Sequence, residues 1–123
     1  MTDKVNANRM GTLSATTLIG DVVRNSSDED LGKIEDLMID LDSGRIVYAV
    51  LSFGGFLGLG DKLFAIPWSA LKVDLKKECF RLDIDKETLE KAPGFNKDNW
   101  PNAKDFGMVT TVYAYYGIEN PFE

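Results

Sequence analysis

The stretch from Gly44 to Trp68 constrains the fold more than any other part of this chain. Within it, Arg45–Phe53 is apolar on both parities: Ile46, Tyr48 and Val50 on one, Val47, Ala49, Leu51 and Phe53 on the other. A strand with one wet face alternates apolar and polar; a strand apolar on both faces is covered on both. A glycine-rich loop follows, and then a second apolar run, Lys62–Ile66. That run stops at Pro67, since proline cannot donate to a strand ladder. A central strand needs a neighbour on each side and a layer on each face, so these residues predict a small, mainly β domain.

The flanking segments supply the remaining strands. Residues 1–13 are polar and read as a disordered lead. Leu18–Val23 predicts a first short strand, and Asn25–Asp30 a turn whose side chains bond local backbone. Leu31–Leu41 predicts a second strand with a change of parity. Ile34 lies on one parity, while Leu37, Ile39 and Leu41 lie on the other. Alternation cannot change parity without an extra residue, so a β-bulge is expected near Glu35 and Asp36. Asp42–Gly44 then makes a hairpin turn.

Beyond Pro67, Trp68–Leu71 turns a corner. Lys72–Asp74 and Phe80–Ile84 predict a hairpin around Leu75–Glu78. Phe80, Leu82 and Ile84 share its inner face; Cys79, Arg81 and Asp83 are expected on a wet one. Asp85 is placed to cap a short helix, Lys86–Ala92, stopped by Pro93 and Gly94. The segment with Phe95 and Trp100 is too polar for a strand and is expected to pin the C-terminal part over the barrel. Asp105 can cap a second helix, because Phe106, Val109, Tyr113 and Tyr116 recur at helical spacing; Gly117 and Pro121 supply its stop. A strand is the rival reading of Val109–Tyr116, which is rich in β-branched and aromatic residues.

Four strings in this order, Leu18–Val23, Leu31–Leu37, Asp42–Ser52 and Phe64–Trp68, resemble the PRC-barrel domain. That family is named after the cytoplasmic part of the photosynthetic reaction centre H subunit, and it forms the C-terminal half of a ribosome maturation factor. The later string Ala92–Pro101 is similar to the tail of stand-alone bacterial members. The resemblance covers residues 14–101. It implies a small, strongly bent antiparallel β-barrel with a short helix, leaving residues 102–123 as a helical tail packed on the barrel or on a partner. The H subunit carries an N-terminal membrane helix and the ribosome factor a preceding domain. Neither has a counterpart in this sequence, so a free-standing barrel is expected. The family roles it implies are protein binding and assembly.

The chemistry-bearing residues carry little that is catalytic. The chain has no histidine, the usual general base, zinc ligand and triad partner. Gly55 and Gly60 have the spacing of a phosphate-binding loop, but Asp61 stands where lysine must be and Leu63 where Ser or Thr must be. The carboxylates Asp28, Glu29, Asp30, Glu35, Asp36, Asp40 and Asp42 do not meet the spacing of a calcium loop, because Leu51 falls at its twelfth position. They read as solvated turns and strand faces. No catalytic, cofactor-binding or metal-binding residue is therefore assigned, and no enzymatic activity is expected.

The candidate interface is apolar instead. Phe56, Leu57 and Leu59 sit in an otherwise open loop, where they either plug the barrel or meet a partner. Tyr113, Tyr115 and Tyr116 are candidate dimer anchors, since one helical stripe can bury only two of them. A net charge of −6 with no basic run argues against nucleic acid and against docking on anionic lipid by charge. The longest apolar tract is broken by Ser52 and glycines, so no membrane insertion is expected. The single cysteine, Cys79, permits no disulfide framework and fits a reducing cytoplasm. The expectation is a cytoplasmic interaction or assembly module, self-associating as a homodimer through the Phe56–Leu59 loop, the exposed edge of an open barrel, or the tyrosine-rich tail. The alternatives are a small-ligand sensor or carrier using the barrel mouth, or an auxiliary protein of photosynthetic electron-transport complexes.

Overall fold

The computed structural model describes residues 11–53, 62–102 and 105–122. The elements are α1 (Ala15–Leu18), β1 (Val22–Arg24), β2 (Asp30–Ile39), β3 (Ile46–Phe53), β4 (Lys62–Pro67), β5 (Leu71–Asp74), β6 (Cys79–Leu82), α2 (Lys86–Glu90), β7 (Gly94–Phe95) and α3 (Phe106–Tyr115). Among these residues the strands form one sheet in the order β5-β6-β1-β2-β3-β4-β7. The fold is mainly β, as expected. It is mixed, however, because β1 runs parallel to β6 through Val23–Phe80 and Arg24–Arg81. The two outer strands, β5 and β7, do not pair with each other, so the sheet curls without closing.

β3 is the central strand that its composition demands. It pairs with β2 on one side and β4 on the other. Ala49, Leu51 and Phe53 face a core with Leu31, Ile34, Phe64, Ile66, Phe80 and Leu89. Tyr48 and Val50 face the opposite side, where Leu63, Ala65 and Val112 cover them. The second layer is α3, which brings Met108, Val109 and Val112 onto that face.

The expected bulge is present: the β2–β3 register slips between Ile34 and Asp36, which leaves Glu35 as the extra residue. Another bulge sits where β1 meets β2, between the Val23–Gly32 and Arg24–Asp30 pairs. Only glycine fits there. Gly32 has φ +121°, and a Cβ on it would lie 2.2 Å from the Ser52 carbonyl oxygen. These slips, with a third between Met38 and Ile39, bend the long β2 strand and give the sheet its curl.

Four local readings need correction. Leu18 is helical, not extended: Ser14 caps a single turn by accepting the Thr17 N–H, and the first strand starts only at Val22. Cys79 is buried, not wet. The Asn25–Glu29 turn folds over that face of β6, and Arg81 on the same parity bonds to the turn's backbone. Gly94–Phe95 does form a short strand, on β4. Phe106 lies exposed, so the buried stripe of α3 runs through Val112 and Tyr113. Both helix caps are as expected: Asp85 accepts the Thr88 N–H, and Asp105 accepts the Met108 N–H. Gly117, with φ +67°, ends α3.

Candidate interaction surface

The order of the sheet decides where a partner can add. Each outer strand has one ladder and one side on which no described strand pairs. Such a side carries backbone N–H and C=O groups that another strand can satisfy. β7 offers two residues, and Phe95 packs edge-on against Trp100 at 5.2 Å. β5 offers four residues.

β5 is held stiff from one end. Asp74 Oδ1 accepts the backbone N–H groups of Lys76 and Lys77, each at 3.1 Å, which ties the hairpin turn to the strand. Its Oδ2 accepts the Arg81 Nε–H at 3.0 Å. Arg81 Nη1 donates to Asp28 Oδ1 at 2.7 Å and to the Asn25 carbonyl at 3.0 Å. Arg81 thereby pins the β5–β6 hairpin to the β1–β2 turn. That turn is itself built by Asn25, whose buried Oδ1 accepts the N–H groups of Ser27 and Glu29. The Lys77 N–H, and next the Arg81 guanidinium, hold the Asp74 carboxyl below its ordinary value. The Arg81 hydrogen bond, and next the Lys77 charge, do the same for Asp28. Both carboxylates are therefore ionised at neutral pH.

Beside β5 lies an apolar groove of about 640 Å³, lined among others by Leu13, Leu18, Trp68, Leu71, Val73 and Phe80. Trp68 stands half-buried at its rim, with its ring 5.9 Å from that of Phe80. Leu71 and Val73 pack on the core at alternate positions, and Lys72 between them is exposed and also borders the groove. Leu13 and Leu75 flank the strand, both with 48% of their surface exposed. Sequence reasoning named an exposed edge of the barrel as one contact surface but did not identify β5 or this groove. Its one local signal was Leu75, an apolar residue in the otherwise charged turn Leu75–Glu78.

The three tyrosines of α3 take different roles. Tyr113 is buried, and its hydroxyl donates to the Val47 carbonyl. Tyr115 is partly exposed, and its hydroxyl donates to the Thr88 carbonyl at 2.6 Å, which ties α3 to α2. Tyr116 is half-buried against Tyr115; its hydroxyl is shielded and finds no partner among the described residues. Burial pushes the Tyr116 phenol well above its ordinary range, and the nearby Tyr115 adds to that. Phe56, Leu57 and Leu59 lie outside the described residues. No helix among the described residues is long and apolar enough to cross a membrane.

The strings imply a small, strongly bent antiparallel β-barrel; the described residues form the mainly β, curled sheet of that kind, mixed and unclosed, with α3 across one face. The PRC-barrel domain family matches residues 10–89, well over half of the chain, so the chain belongs to the PRC-barrel family. Among solved structures it is similar to a protein described as the 16S ribosomal RNA processing protein RimM of Pseudomonas aeruginosa. The identity is 20% and the TM-score 0.41, over 68% of this chain and 50% of that one. This chain thus spans about half the length of that protein. No curated protein matches.

Proposed function

We propose that this chain is a protein-interaction and assembly module that self-associates and carries out no reaction of its own. The observation that carries this reading is the β5 edge: four residues with one side on which no described strand pairs, stiffened by Arg81 and Asp74, beside an apolar groove. A rigid edge loses little conformational freedom when a partner strand adds to it. The sequence supports the same reading, since it has no histidine to serve as a general base and no spacing that fits a metal or a phosphate. Further apolar surface stands apart from this edge at Phe106 and Tyr115 of α3, and the sequence adds Phe56, Leu57 and Leu59, which lie outside the described residues. These remain candidate contacts.

Sedimentation velocity over a wide range of protein concentrations tests the reading. Mass should rise toward twice the monomer value as concentration rises. A constant monomer mass up to several hundred micromolar contradicts self-association.

The groove also favours a second reading, a carrier of a small apolar ligand, because its volume of about 640 Å³ falls in the range of small-molecule sites, roughly 300–1,000 Å³. A thermal-shift screen of apolar metabolites and pigments tests it, since a ligand that binds only the native state raises the apparent melting temperature. A screen with no shift contradicts it.

A further inference from the structure

We propose that the occupant of the β5 edge is a second copy of this chain, added antiparallel about a two-fold axis through Val73. This rests on the self-association reading above and names its surface. Strand register decides between the possible axes. In an antiparallel pair, directly opposed residues point to the same face, and a slip of one residue exchanges the faces. An axis between two residues would set Lys72 opposite Val73 of the second copy and turn each apolar face against a wet one. An axis through Lys72 sets two ammonium groups against each other, and one through Asp74 sets two carboxylates.

The axis through Val73 avoids every one of these conflicts. It places Val73 against Val73 and Leu71 beside Leu75 of the second copy, all on the groove side. It places Lys72 against Asp74 of the second copy, twice per interface by symmetry, on the solvent side. The local chemistry is ready for that contact. Lys72 is exposed and lies on the opposite parity from Leu71 and Val73, across from Arg81. Asp74 uses three acceptor positions, for Lys76, Lys77 and Arg81, and a carboxylate has about four. Two carboxylates, Asp28 and Asp74, share the single Arg81 guanidinium, and Lys77 approaches Asp28 only to 3.8 Å. The pairing also covers Leu75, the apolar residue that the turn leaves exposed.

Lysine on an edge strand ordinarily blocks unwanted pairing. Here it becomes a selectivity device. Of the registers centred within Lys72–Asp74, it admits the one in which it meets a carboxylate.

Two variants test the proposal by light-scattering mass and by oxidation. Lys72→Glu changes only an exposed residue, and it sets like charges opposite one another at two places. The dimer dissociation constant should rise on the order of tenfold or more, with an unchanged circular-dichroism spectrum. Val73→Cys puts a thiol on the axis, so oxidation should trap a covalent dimer. The wild type, whose Cys79 is buried, should give none. A dimer that is indifferent to Lys72→Glu and leaves Val73→Cys untrapped overturns the β5 register and leaves self-association standing. In that case the Phe56→Ser/Leu59→Ser double variant should dissociate it. A wild type that never leaves the monomer overturns both.

Discussion

The two outer strands of this sheet solve the same problem in opposite ways. β7 is short: it pairs only Gly94 and Phe95 with β4, and Trp100 packs onto it. Gly94 lets that strand approach closely, since a Cβ there would meet the Leu63 carbonyl oxygen at 2.8 Å. β5 is twice as long, lies beside a groove and is braced by ion pairs on its far side. One edge is blunted by brevity and cover; the other is longer, and no described strand covers it. An edge that natural proteins ordinarily hide is here the best-supported strand end in the molecule. That contrast is why the functional reading rests on β5.

The comparison breaks most completely if the strand between the edges fails. Gly32→Ala forces a Cβ to within 2.2 Å of the Ser52 carbonyl at a φ of +121°. Such a clash, together with backbone strain, should cost about 3 kcal/mol or more. Both edges should loosen together, seen as a lowered urea midpoint and faster amide exchange in β5 and β7 alike. A midpoint within experimental error of wild type would mean that the bulge is not the hinge of the curl.

Much of this architecture is legible in the chain, and what is not has a common cause. The bulge at Glu35, the double-sided burial of β3 and the caps at Asp85 and Asp105 are all written within a few residues. Parity and hydrogen-bond capacity are enough to read them. The parallel pairing of Val23 with Phe80 joins residues that are remote in the chain, and no local pattern records it. For the same reason the sequence could not say which strands would be outermost, and so could not find the groove. The burial of Cys79 has a similar origin: a distant turn covers a face that alternation alone reads as wet. α1, between the polar lead and the predicted first strand, was not read because one turn of helix is too short to show a period. The three tyrosines were legible as unusual, but their partners, Val47 and Thr88, belong to other elements.

A second variant sharpens the contrast from the β7 side. Gly94→Ala should cost about 1–2 kcal/mol, because the nearest neighbour is backbone and must shift. Amide protection should fall in β7 while β5 keeps its own. Equal loss in both strands would show that the edges are not independent.

The β5 side is probed by Arg81→Gln, which removes the pin between its hairpin and the β1–β2 turn. The effect on the urea midpoint should be smaller than that of either glycine variant, because these groups lie near solvent. It should also depend on pH. Asp28 and Asp74 are both held below their ordinary value of 3.8. Depressed carboxylates stabilise the folded state fully above that value and lose the contribution as pH falls through their folded values. The gap between wild type and variant should therefore be constant near neutrality and narrow below about pH 4. A gap that widens in acid would reverse the sign and refute the role given to Arg81.

The smallest expected change in the isolated fold is that of Lys72→Glu. Monomer stability should stay within about 0.5 kcal/mol, as for other exposed positions. A larger loss would show that Lys72 supports the fold itself and would disqualify it as a probe of the edge.

The most direct measurement is amide hydrogen exchange in β5 and β7 at low and high protein concentration. Self-association through β5 requires that amides within Leu71–Asp74 gain protection as concentration rises, while those of Gly94 and Phe95 do not change. Unchanged exchange across Leu71–Asp74 in a sample that has doubled in mass would contradict the account.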